Sequence, residues 1–291
     1  MQTIAAQMDS ETSAFTFTDS QPKALDLCMA PGGFLAHFFH KSPAGVADAI
    51  TLPEEEGGHQ VLLSLDGRTA QISVVFADVT MYAAELGVES IPKDHPEAHK
   101  LLAPWPHPKC SYDLVICDGQ ALRTQNVPEY RKLCEQSRLF NSQLVIALQK
   151  VRVGGTIIAL LHKAHKWRTF ALLRQFSIFS DIAVFKPKKF HAEKSSFYMV
   201  AKNVRSQSRE ATDAIESFRR SWLRCTFPET SESSEARNGA EDEAGGEAED
   251  DVEEEDAERM LQDFGDKYVG LMQPVWVVQS TALSTARWMR E

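Results

Sequence analysis

The sequence predicts an α/β protein, with a mostly parallel sheet, an antiparallel last strand and helices on both faces. Three observations predict it. Short apolar runs alternate with helical stretches between residues 24 and 201, the pattern of a sheet covered on both sides. The first of these runs ends in a Pro-Gly-Gly turn that leads straight into Phe34-Leu35-Ala36-His37-Phe38-Phe39, which reads as strand, turn and helix. Hydrophobic residues make up 43% of the 291 and charged residues 25%, which is enough for a sizeable core and rules out disorder of the whole chain.

Taken in order, residues 1–20 are polar and are expected to form a flexible arm. Residues 24–29 form the first strand, 47–52 a second apolar run, and 61–65 and 72–76 further strands, the last ending at Asp78. Residues 92–108 are rich in Pro and His and read as a surface loop. Tyr112–Cys117 is a buried strand ending at Asp118-Gly119. Residues 130–151 are helical, Gly154-Gly155 ends that stretch, and 156–161 is the next strand. Trp167–Phe179 is an amphipathic helix. Strands at 181–185 and 197–201 are joined by a short Pro-Lys-Lys connection that permits antiparallel pairing. The main domain is thus expected over 21–225.

Charge divides the remainder. The net charge of -10 conceals a tract at 229–258 with 15 acidic residues and one basic residue. Low complexity and the lack of aromatics predict an acidic disordered insertion there. Residues 260–291 regain Trp276, Val277, Leu283 and Trp288, which predicts a C-terminal helix docking on the domain. Residues 150–225 carry 16 basic and 5 acidic residues. A cationic face of this kind suits RNA, because phosphate contacts supply most non-specific affinity, and equally suits a solvated face that offsets the acidic tract. The acidic tract in turn suits a basic protein partner.

The five cysteines are scattered and never spaced Cys-x-x-Cys, which argues for a reducing compartment and against a disulfide framework or a zinc site. No metal is expected. The N-terminus lacks the basic start and apolar core of a secretory signal, and no apolar run spans a membrane. The expected location is intracellular, cytoplasmic or nuclear, without membrane association.

The chemistry-bearing stretch is Asp26-Leu27-Cys28-Met29-Ala30-Pro31-Gly32-Gly33-Phe34. Its glycines let a ligand approach the backbone, and the amides at the following helix start favour an anionic group. This nonapeptide resembles the first motif of the FtsJ-like ribose 2′-O-methyltransferase family. The resemblance continues in order through Tyr112–Cys117 with Asp118, through Val153-Gly154-Gly155-Thr156, and from Phe185-Lys186-Pro187 to Phe197-Tyr198-Met199-Val200.

The resemblance implies a Rossmann-like class I methyltransferase fold, S-adenosylmethionine as cofactor, and RNA as a frequent substrate. It implies that Ala30, Pro31, Gly32, Gly33 and Phe34 line the methionine end of the cofactor, with Asp26 orienting it through the loop amides. Asp78 is implied as the partner of the adenine amino group, although the same carboxylate beside Thr80 could cap a helix. Asp118 is implied beside the transferable methyl, and Glu54 is the acidic residue available for the ribose hydroxyls.

The family's catalytic set is Lys, Asp, Lys and Glu, and only Asp118 stands in register with it. Lys23 is the sole lysine before Asp26, Leu160 takes the second lysine's place, and Ser196 takes the glutamate's. Lys163, three residues past Leu160, is the candidate partner of Asp118. The cluster His162, Lys163, His165 and Lys166 reads either as an alternative base or as a basic loop at the sheet rim. The expected activity is methyl transfer, foremost to the ribose 2′-oxygen of RNA. The alternatives are a small-molecule or protein methyltransferase, or a catalytically degenerate fold that serves as an RNA-binding scaffold.

Overall fold

One sheet contains β1 (Lys23–Asp26), β2 (Val46–Thr51), β3 (Ile72–Phe76), β4 (Tyr112–Cys117), β5 (Val151–Leu161), β6 (Asp181–Phe185) and β7 (Phe197–Val204). In this computed structural model the described residues are 1–64, 67, 71–107, 111–121, 125, 127–227 and 254–286. The strand order is β3-β2-β1-β4-β5-β7-β6. β1 to β5 pair in parallel, whereas β7 lies antiparallel to both β5 and β6. The fold is Rossmann-like, with the antiparallel end that the 181–201 pattern predicts.

Side chains alternate across the central strands, so each strand feeds two cores. From β4, Leu114 and Ile116 join one cluster while Val115 and Cys117 join the other. The first cluster is covered by α1 (Gln2–Thr12) and α2 (Gly33–Lys41), through Ile4, Met8, Phe34 and Phe38. The second is covered by α4 (Glu135–Lys150), α5 (Trp167–Phe179), α6 (Arg209–Thr226) and α7 (Glu254–Thr285). Central strands buried on both faces read as continuous apolar runs, as 114–117 does.

Several elements differ from the sequence-based expectation. Residues 1–20 are not a loose arm. Gln2–Thr12 form α1, whose Ile4, Ala5 and Met8 are buried. Inside that interface Asp9 accepts from the Phe15 amide and pairs with His37 at 3.3 Å and Lys41 at 3.2 Å. Three partners for one buried carboxylate offset the cost of taking it out of water. Residues 61–64 form no strand; the Leu62 amide instead donates to the Pro31 carbonyl at 3.0 Å, which ties this loop to the glycine turn.

The helix expected over 130–151 is split into a 3-10 turn, Glu129–Arg131, and α4. Gly154, at φ +80°, does not precede β5 but lies within it, where the pairing register shifts. The loop at 92–108 includes a one-turn helix, α3 (Ala98–Leu101).

α7 begins at Glu254, ahead of the expected 260, and packs Phe264, Tyr268, Met272 and Val275 onto the second core. Tyr268 donates its hydroxyl to the Ala164 carbonyl, and Asp263 pairs with Arg174 at 2.8 Å. Most of the acidic tract, and with it the surface for the expected basic partner, lies outside the described residues. No helix among the described residues is long and apolar enough to cross a membrane, and no cluster of metal-ligating side chains occurs among them.

Candidate active site

Strand order reverses in sequence at β1, which lies between β2 and β4. The crevice beyond the carboxyl ends of β1 and β4 is where such a sheet binds ligands. A cavity of about 230 Å³ opens there, lined by Ala30 and Pro31 after β1, Thr51 at the end of β2, Asp78 after β3, and Asp118 after β4.

The loop after β1 is shaped by hydrogen bonds that the strand ends leave available. The Leu27 amide donates to Ile116, the Met29 amide to Ile50, and the Ala30 amide to the Thr51 hydroxyl at 3.3 Å. Ala30-Pro31 is a cis peptide. Gly32 then adopts φ +100°, a left-handed conformation that side chains disfavour, and a Cβ on it would lie 2.7 Å from the Leu63 Cβ. A Cβ on Gly33 would meet the Met1 Cβ at 2.4 Å. Ala30 and Pro31 therefore face the cavity, while Gly32 and Gly33 are the tight turn beneath Leu63 and Met1. Phe34 is buried behind them, edge-on to Tyr198 with ring centroids 5.7 Å apart. Of the predicted liners, these three support the wall rather than form it.

Asp26 does not face the cavity. It is buried at the end of β1, and its Oδ1 accepts from the Cys28 amide at 3.3 Å. Burial first, and then the Asp118 charge, push its carboxyl up to about 8. Asp118 does face the cavity. Burial pushes it up to about 7, against the hydrogen bond in which the Tyr198 hydroxyl donates to its Oδ1 at 2.9 Å. Tyr198 is itself pushed upward by burial, then by the Asp118 charge, and stays a proton donor. The Cys28 and Cys117 thiols are raised by burial and by the same carboxylates, so they stay neutral. Gly119 is held by Gln143, whose Oε1 accepts from its amide at 2.9 Å.

At the other end of the cavity Asp78 performs the capping role that its neighbour Thr80 suggested. Its Oδ1 accepts from the Thr80 amide at 2.9 Å and from the Thr80 hydroxyl at 2.7 Å. Its Oδ2 lies 3.5 Å from Arg131. Arg131 also pairs with Glu97 at 2.9 Å and Glu135 at 2.6 Å, and both Arg131 and Glu135 border the cavity. Sequence reasoning missed this buried network, because its members come from three separate stretches, 78–80, 97 and 131–135, and no short motif joins them. Glu54 does not line the cavity; Glu56 does, and it pairs with Lys100 at 3.3 Å.

Lys163 does not reach Asp118. β5 ends at Leu161, and Lys163 turns the chain at φ +53°, leaving its side chain in solvent and outside the cavity wall. Leu160 is the β5 residue that lines the cavity.

Residues 6–204 match the family described as FtsJ-like methyltransferase. The chain belongs to this family. S-adenosylmethionine is the cofactor of this FtsJ-like methyltransferase, and methyl transfer from it is the family's chemistry. Similar solved structures include a Plasmodium falciparum protein described as a ribosomal RNA methyltransferase, 14% identical with a TM-score of 0.42, covering 70% of this chain and 96% of that one. Fibrillarin in complex with Nop5p is 13% identical at 0.40, covering 63% and 73%. Human methyltransferase-like protein 13 in complex with SAH is 14% identical at 0.35, covering 75% and 87%. The family match, not these distant likenesses, carries the assignment. No curated protein matches the chain.

The residues present fit the cofactor. Asp26 and Asp118 are two carboxyls raised by burial, and neither pairs with a lysine or arginine side chain among the described residues. A cationic methionine end in the cavity adds positive charge beside Asp118, which favours its ionised form. A pH dependence follows. Below about 7 a bound cation must first drive the proton off Asp118. The affinity for S-adenosylmethionine should therefore rise with pH, by up to tenfold per unit, and level off above that value. Calorimetry at pH 5.5 to 8.5, in buffers of different ionisation enthalpy, should record proton release on binding near neutrality. A flat affinity with no proton release would show that Asp118 does not sense the cofactor's charge.

Proposed function

We propose that this methyltransferase acts on RNA, at a ribose 2′-hydroxyl. The observation that supports the reading is the loop between β6 and β7. It carries exposed Lys188, Lys189 and Lys194 with exposed Phe190, and the Lys189 ammonium lies 5.8 Å from the Phe190 ring centre. The same loop contributes His191 and Ser196 to the cavity that contains Asp118. A cationic, aromatic rim continuous with the reaction site suits a nucleic-acid strand, with phosphates on the lysines and a base on the ring.

In this reading Ala30, Pro31 and Thr51 bound the methionine end of the cofactor. Asp78 and Arg131 bound the adenine end, and Asp118 stands beside the transferred methyl. The cofactor supplies a methyl on a good leaving group. The protein's task is to align a weakly acidic hydroxyl and help remove its proton.

The test is transfer of tritiated methyl from S-adenosylmethionine to an unmodified transcript pool of ribosomal and transfer RNA, followed by alkaline digestion. A 2′-O-methyl group blocks cleavage at its own phosphodiester, so the label should appear in alkali-stable dinucleotides. Binding to the same RNA should weaken steeply between 50 and 200 mM salt, by about 10-fold or more if a few phosphates are contacted. Label in mononucleotides would move the methyl to a base, and label in protein would select a protein substrate. Cofactor binding with salt-sensitive RNA binding and no transfer would select the scaffold. That alternative has one observation on its side, since no lysine side chain lines the cavity among the described residues.

A further inference from the structure

The β6–β7 loop is shaped around one buried cation. Lys186 is 3% exposed, and its ammonium donates to the carbonyls of His191 at 3.0 Å, Ser196 at 2.7 Å and Lys194. Three carbonyls converging on one ammonium draw the loop into a closed turn. His191 lies within that turn at φ +62°, a conformation costly for a residue other than glycine and sustained here by the surrounding bonds. His191 borders the same cavity as Asp118, Ser196 and Tyr198.

Several other ionisable groups of the wall are committed. Asp118 accepts from Tyr198, Asp78 caps Thr80 and meets Arg131, and Glu56 pairs with Lys100. His59, the other histidine of the wall, borders it next to Gly58, in the segment that follows β2.

We propose that His191 is a catalytic residue, the proton acceptor for the hydroxyl that receives the methyl group. This inference rests on the RNA reading above. As the hydroxyl oxygen bonds to the methyl carbon, the carbon–sulfur bond breaks and its electron pair stays on sulfur. The hydroxyl proton passes to the imidazole of His191, which later releases it to water.

The groups that face His191 are Lys186 and Lys194 from its own loop, His162 after β5, and the Met1 amine beside α1. Burial, then these cations, hold His191 below the ordinary histidine range. His162 is lowered the same way, and its ring meets the Gln120 side-chain amide. Both rings are therefore neutral at pH 7, and it is His191 that borders the cavity.

The experiment measures single-turnover methylation of the same unmodified RNA pool at saturating S-adenosylmethionine. Wild type is compared with His191→Ala and His191→Gln, alongside calorimetry of S-adenosylmethionine binding. Both variants should keep cofactor affinity within about threefold and lose at least 100-fold in rate, within the range expected of a general base. For wild type the rate should fall tenfold per pH unit below the His191 pKa, and His191→Ala should lack this limb. Added imidazole should restore His191→Ala in proportion to its free-base concentration. Wild-type transfer with fully active variants would overturn the role of His191 and leave the RNA reading standing. Lost activity without imidazole rescue, and with an unchanged acid limb, would overturn it as well. Absence of wild-type transfer, with cofactor bound, would overturn the RNA reading and this inference together.

Discussion

Asp118→Asn is expected to reduce methyl transfer by about 10²- to 10⁴-fold, the range of an electrostatic or proton-handling group removed from an active site. The amide oxygen can still accept from Tyr198, which in the native protein donates to Asp118 at 2.9 Å, so the local geometry is preserved. What is lost is the negative charge. The variant should fold with unchanged or slightly raised thermal stability, because the charged form of a carboxyl raised to about 7 by burial is the costly one. The measurement is the single-turnover rate at saturating S-adenosylmethionine, with a melting curve as the control. A rate within threefold of wild type would remove Asp118 from the reaction.

Gly32→Val should abolish cofactor binding, raising the dissociation constant at least 100-fold in calorimetry. Gly32 sits at φ +100°, where a β-branched side chain is strained, and its Cβ would lie 2.7 Å from Leu63. Relief requires moving either the turn or Leu63. The turn is the direct continuation of Ala30 and Pro31, which form the cavity wall. Gly32 neighbours only the edge of the first core, through Met29 and Leu63, so the circular dichroism spectrum should be preserved. Gly265→Ala in α7 is the matched control, since a Cβ there meets nothing within 4 Å and alanine is the better helix former. Normal affinity in Gly32→Val would show that the turn does not shape the site.

The glycine-turn side of the candidate site was more legible in the sequence than the rest of its wall. Asp26 to Phe34 is contiguous, and a strand, a left-handed glycine and a helix start are local properties of the chain. Asp118 was legible for the same reason, as the residue after a fully buried, mostly apolar strand. Lys163 misled because a residue's reach at a strand end depends on where the strand stops, and one turn residue at φ +53° sends the side chain into solvent. The arm at 1–20 misled because its apolar residues are sparse. Their burial depends on α2, and on the Asp9–His37 pair that links residues 28 apart.

The sequence by itself determined most of the order of strands and helices after residue 23, the glycine turn, the position of Asp118 and the unequal distribution of charge, since each is written in neighbouring residues. Only the tertiary structure decided which groups meet: Tyr198 with Asp118 across 80 residues, Arg131 between Asp78, Glu97 and Glu135, and Lys186 with the carbonyls of its own loop. Apolar periodicity and turn chemistry act over a few residues and leave a readable pattern. Buried polar pairing is set by strand order and register across the whole chain, and no local pattern records it.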